Sequence, residues 1–145
     1  RVRQLVTNSY WLQTQLPTLE QHNDVAIATL YDEIGYPLTV QNVVAKPTMV
    51  SPIHNHGTWG VIYILKGQER HTFWRRVDED QQSFHIEATE EKTFGPGEIV
   101  SFMPQAIHQV SNPENMPTLT FQLYGDTQPA SRYEFQPDQA TAKPF

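Results

Sequence analysis

From Val25 onward, short runs rich in β-branched and aromatic residues are cut at close intervals by Gly, Pro, Asn and Asp. Runs of that length cannot carry helices of ordinary size, but each suits a strand. Strands are expected over 25–32, 39–45, 59–66, 69–77, 83–89, 91–94, 99–103, 107–111 and 118–124. Turn chemistry separates them at Gly35-Tyr36-Pro37, Lys46-Pro47, Lys66-Gly67-Gln68, Asp78-Glu79-Asp80, Gly95-Pro96-Gly97, Asn112-Pro113-Glu114-Asn115 and Gly125-Asp126. Many short strands at this spacing close into a barrel or stack as a sandwich, and the double-sheet jelly roll is one such form. Ahead of them, Val2, Leu5, Val6, Tyr10 and Leu12 recur at helical spacing with no proline, which predicts one amphipathic helix over 2–14. Pro17 sets its boundary near Leu16, and a second short helical stretch is expected over 19–21. The 145 residues suit one domain, divided into a helical segment 1–24, a β core 25–125 and a polar tail 126–145 expected to wrap the surface.

The net charge of −6 argues against a nucleic-acid partner, which calls for a basic face. Arg75-Arg76 reads as a solvated strand end. With no cysteine, disulfides and thiolate ligands are excluded, so any metal must be held by nitrogen and oxygen. No apolar run is long enough to span a bilayer, and no charged leader with an apolar core precedes the β region. A cytoplasmic location without membrane attachment is therefore expected.

Against this background the histidines matter. His54 and His56 are one residue apart, and on a strand such positions point to the same face, so both can converge on one ion. Imidazole is the commonest ligand of borderline divalent metals. His108 follows in a second segment, Gly97 to Asn112. His22, His71 and His85 have no comparable setting and read as structural or exposed. Trp59 and Trp74 read as core or as pocket lining, and Glu69, Glu87 and Glu98 as exterior strand residues.

The two segments resemble the paired motifs of the cupin superfamily. His54, His56 and Gly67 fit the first motif, and Gly97, Pro104, His108 and Asn112 fit the second. The resemblance implies an all-β, cupin-type double-stranded β-helix (jelly roll) with a short N-terminal helical segment. It also implies His54, His56 and His108 as metal ligands. One position departs: the usual glutamate slot is Gly60. Three neutral imidazoles leave a divalent ion its full charge and open positions, which favours an anionic ligand.

The stretch from His54 to Gly60, with Thr120 to Gly125 and Arg132 to Pro137, is similar to the cysteine dioxygenase family. The likeness is greater to bacterial members, 3-mercaptopropionate dioxygenases included. That resemblance implies an Fe(II) centre at which O2 oxidises a small thiol, cysteine or a 3-mercapto-acid, to its sulfinate. Zn, Ni or Mn suit the same three-His set. Tyr124 matches the family's active-site tyrosine, and Arg132 an arginine suited to bidentate carboxylate capture. Arg132 reads equally as a surface ion-pair partner. Thr120 and Gln122 stand where the family usually has serine and histidine, so a relay here positions Tyr124 but does not titrate. Gln41 and Gln122 are further candidates for contact with substrate. The tyrosine cross-link of animal enzymes needs a cysteine at the slot of Gly60 and is excluded. Two other readings stay open: a different metal-dependent cupin enzyme, and a non-catalytic small-ligand cupin. Cupins often dimerise through edge strands or terminal extensions, so a homodimer is also open.

Overall fold

The computed structural model describes residues 1–78 and 83–145, so the turn expected at Asp78-Glu79-Asp80 runs outside the described residues. The strands are β1 (Val25–Asp32), β2 (Leu38–Ala45), β3 (Ile53–Asn55), β4 (Gly60–Lys66), β5 (Glu69–Arg76), β6 (Ile86–Phe94), β7 (Ile99–Phe102), β8 (Ile107–Ser111), β9 (Thr118–Gly125), β10 (Tyr133–Gln136) and β11 (Thr141–Pro144). They form two antiparallel sheets, ordered β1-β2-β9-β4-β7 and β11-β10-β3-β8-β5-β6. From β2 to β10 the chain crosses repeatedly between the sheets, and their inner faces enclose the site. This is the jelly roll the strand pattern predicts.

Strand β9 shows why the pattern folds this way. Thr120, Gln122 and Tyr124 face the interior, while Phe121, fully buried, faces outward beneath the N-terminal helices. A central strand covered on both sides loses strict polar alternation, which accounts for its mixed sequence. Ile62, Ile64, Phe94, Val100, Phe102 and Tyr124 fill one end of the interior.

The N-terminal helix differs from expectation. It is two short helices, α1 (Val2–Thr7) and α2 (Tyr10–Thr14), broken at Asn8-Ser9. Asn8 ends α1, and the Ser9 hydroxyl accepts the Leu12 amide at 3.3 Å as the cap of α2. Ser and Asn serve helix ends better than helix interiors. Helices of six and five residues do not persist alone. They are held by Val6 and Leu12 packing on Tyr63 and Phe121, each such burial being worth roughly 1.5–3 kcal/mol. The Asn42 amide of β2 also donates to Leu12 O at 2.7 Å and Gln15 O at 2.9 Å. The stretch 19–21 is not helical: it lies in extended chain and a turn after Pro17.

Two further expectations are corrected. The runs 83–89 and 91–94 merge into one strand, β6, which starts only at Ile86 and has a bulge opposite Phe73/Trp74. Its middle is exposed and carries Glu87, Glu90, Glu91 and Lys92, a charged surface suited to a strand at the edge of a sheet. The tail does not merely lie on the surface. β10 pairs with β3, β11 pairs with β10, and Phe135 is buried with Ile86 and Ile107. Strand β3 was missed, since three residues give no periodic signal. It carries His54, and β10 shields what would otherwise be its open edge.

Candidate metal centre

Strands β3 and β8 set the site. His54 and His108 are direct register partners, and His56 follows at the end of β3. The Nε2 atoms of His54 and His56 are 3.1 Å apart, as are those of His56 and His108. Two nitrogens that each sit about 2.0–2.1 Å from one ion are separated by about this distance. All three ligand atoms lie within 4.8 Å of one another. His54 Nδ1 meets the Pro52 carbonyl at 2.9 Å, so that nitrogen carries the proton and Nε2 presents its lone pair to the cluster. Converging lone pairs in a buried pocket fit a cation. The donor set, nitrogen without carboxylate or thiolate, fits a borderline divalent metal with open positions.

The electrostatics keep these rings neutral, the form that binds metal. Burial pushes His56 down to about 3, helped by repulsion from His54, Arg132 and His71. Burial likewise holds His108 well below the usual imidazole range, with His54, His56 and His71 adding to it. His54 is lowered by burial, against an opposing pull from its bond to Pro52.

The departure at Gly60 has a structural reason. A Cβ there would lie 2.3 Å from Phe102 Cζ and 2.5 Å from Cε2. The Phe102 ring occupies the space that a side chain at this slot would need. It also stacks on His56 at 5.1 Å between centroids and lies 4.9 Å from His108. The fourth, carboxylate position of the motif is thus walled by an aromatic ring.

Tyr124 also stacks on His56, at 4.9 Å, with its ring 6.2 Å from that of Phe102. Its hydroxyl donates to Gln122 Oε1 at 2.8 Å, and the Gln122 amide donates to Thr120 Oγ1 at 2.9 Å. Gln41 also donates to Gln122 Oε1, at 3.0 Å. Gln41 thus gives one amide hydrogen to Gln122 and itself borders the cavity that holds the three histidines. Burial, then the charge of Glu69, pushes the Tyr124 phenol well above its ordinary value, so it stays protonated.

Arg132 reaches the same cavity because the residue between the two histidines ties it down. Asn55 donates to Ser131 O at 2.7 Å and accepts from the Tyr133 amide at 2.7 Å. Gly57, at φ +63°, lets this segment approach: a Cβ there would sit 3.1 Å from Gln128 O. Arg132 Nε is buried without a hydrogen-bond partner. The guanidinium lies 4.7 Å from the Phe145 ring, which in turn stacks on His54 at 4.8 Å. His54, His56, His108, Gln122, Tyr124 and Arg132 all border one cavity of about 500 Å³. Val25, Ile27, Val43, Met49 and Val110 add apolar surface to its lining.

Several neighbours of the site escaped the sequence reading. Glu69 and His71 are 3% and 0% exposed, so Glu69 is interior, not exterior. Their shared parity on β5 was the available signal, but nothing in the sequence says which face of β5 is inside. Trp59 lies outside the cavity, 41% exposed, with its indole over Gly125. Trp74 packs beside the buried cluster of Ile86, Ile107 and Phe135. Glu87 and Glu98 are exterior.

No family model matches the chain, and no curated protein does. Solved structures do. The chain superposes on the Cupin_2 domain of an XRE family transcriptional regulator from Enterobacter cloacae with a TM-score of 0.53 and 15% identity, covering 73% of this chain and 100% of that one. A Cupin 2 conserved barrel domain protein from Salinispora arenicola gives 0.55 and 19%, covering 75% and 82%. The polyketide cyclase RemF from Streptomyces resistomycificus gives 0.57 and 16%, covering 74% and 69%. These neighbours differ in role, so at such identities the likeness speaks to architecture alone. Among the described residues no helix is long and apolar enough to cross a membrane. In fold, the chain is a cupin-type jelly roll with a three-histidine cluster placed to hold a metal ion.

Proposed function

We propose that this protein is a metal-dependent dioxygenase that oxidises a small carboxylate-bearing thiol to its sulfinate, with Fe(II) held by His54, His56 and His108. The observation that carries the reading is a pairing inside one cavity. Three imidazoles with no carboxylate face Arg132, whose buried Nε lacks a partner. A dianionic mercapto-acid complements both. Its thiolate suits the uncompensated dication, and its carboxylate suits the guanidinium. Bound iron would supply a redox-active Lewis acid at which O2 and thiolate react.

The remaining chemistry belongs to the chain. Asn55 and Gly57 set the reach of Arg132, which orients the substrate. Tyr124 keeps its proton and is fixed by Gln122, so it contributes a positioned phenol and no titrating base. Phe102 closes the side where another cupin would place a carboxylate, which leaves fewer open positions for water. Zn, Ni or Mn would satisfy the same donors without the same redox chemistry.

A second reading is favoured by the cavity itself. About 500 Å³, lined in part by apolar side chains, exceeds what a six- or seven-heavy-atom thiol fills. It would suit a metal-dependent reaction on a larger apolar molecule, and one neighbour in fold is a polyketide cyclase. Oxygen uptake separates the two. Protein reconstituted with Fe(II) is supplied with cysteine, 3-mercaptopropionate, mercaptosuccinate and cysteamine, and sulfinate is assayed. Uptake stoichiometric with sulfinate, strongest for the carboxylate-bearing thiols, supports the first reading. Silence across the panel with iron bound moves the assignment to the second.

A further inference from the structure

Glu69 and His71 are deeply buried, ionisable, and have no part in the proposed chemistry. They share one face of β5 and end at the metal cluster. His71 Nε2 is 3.1 Å from Glu69 Oε2, and His71 Nδ1 is 3.3 Å from His108 Nδ1. If His108 offers Nε2 to a metal, its Nδ1 must carry the proton. His71 Nδ1 must then accept it, so His71 Nε2 carries its own proton and donates to the Glu69 carboxylate. One tautomer assignment satisfies every link of the chain.

The three ligands are not equivalent in their outer contacts. His54 donates to a neutral carbonyl, and His56 stacks on the rings of Phe102 and Tyr124. Among the described residues, only His108 is linked through hydrogen bonds to a carboxylate. Resting on the metal reading above, we propose that Glu69, acting through His71, is the outer-shell anion of the metal centre. It supplies from a distance the negative charge that Gly60 withholds from the first shell, and His71 fixes the ring of His108. Both are positioning residues. Hydrogen-bonded partners of this kind raise ligand basicity, and their loss typically costs about 10–100-fold in metal affinity.

The test measures binding, not turnover. Apo protein is titrated with Co2+ and Zn2+ against a chromophoric chelator, in the wild type, Glu69→Gln and His71→Phe. Glu69→Gln retains an acceptor for His71 and removes only the charge. It should weaken both metals about tenfold and shift the Co2+ d–d bands, and His71→Phe should weaken them about 10–100-fold. A folded Glu69→Gln variant with affinity within twofold of wild type and unchanged bands would overturn the proposal while leaving the three-histidine site intact. A wild type that retains neither metal would overturn the metal reading and this inference together. Should the variants not fold, long-range ¹H–¹⁵N spectra of the Zn2+-loaded wild type decide. His71 must appear as the Nε2–H tautomer and His108 as Nδ1–H, and His71 protonated at Nδ1 overturns the relay.

Discussion

Gly60→Ala adds one methyl group to a strand position with no strained backbone, so conformational freedom is not at issue there. The new Cβ would stand 2.3 Å from Phe102 Cζ, 2.5 Å from Cε2 and 3.0 Å from Cε1. Ordinary carbon contacts lie at about 3.5–4.0 Å, so the ring must retreat by about 1.2 Å or more. It has little freedom to do so, because His56 and His108 pack against it at 5.1 and 4.9 Å between centroids. Overpacking of this kind costs about 1–3 kcal/mol. For a chain of this size that is a fall of about 2–12 °C in Tm. The displaced ring presses on two of the proposed ligands, so Co2+ affinity should fall as well. Urea denaturation of apo Gly60→Ala, Phe102→Leu and the double variant tests the cause. Phe102→Leu removes the ring atoms that clash, so the double variant should be more stable than the sum of the single effects predicts. A favourable coupling of about 0.5–3 kcal/mol is expected for contacting residues. A single variant within about 0.5 kcal/mol of wild type, or strictly additive effects, would refute the account of Phe102 filling the slot.

Other expectations follow from the same geometry. His108→Ala removes one of three ligands and should abolish retention of iron through gel filtration, and normal iron content would show the ligand assignment to be wrong. Arg132→Ala should raise KM for 3-mercaptopropionate and leave cysteamine, which has no carboxylate, unchanged. Asn55→Ala should raise the same KM by releasing the 131–133 segment, with metal content preserved and a stability loss of about 1–3 kcal/mol from two lost hydrogen bonds. The metal-free protein should lose stability on acidification below about pH 6.5. Its site histidines have folded-state values below their unfolded ones, so the unfolded chain binds more protons there and stability rises with pH. The loss should continue toward about pH 3, where His56 itself titrates in the fold. Denaturation midpoints flat between pH 7 and 4 would contradict the burial argument.

The sequence alone determined the β architecture, because period-2 runs and turn residues are local properties. The ranges 25–32 and 107–111 coincide with β1 and β8. It also singled out His54, His56 and His108, since two share a strand face by spacing and the third sits in a matching motif. What it could not determine was which faces meet. The parity of Glu69 and His71 was visible, but only the pairing of β5 with β8 turns that face inward against His108. Likewise Gly60 was visible as a departure, while Phe102 filling its space depends on the register of β4 against β7. The tail looked polar, yet pairing with β3 makes Tyr133–Gln136 a strand and brings Arg132 over the cluster. Local chemistry is written in neighbouring residues, whereas cross-strand register and sheet closure join residues many positions apart, and only the folded chain specifies those contacts.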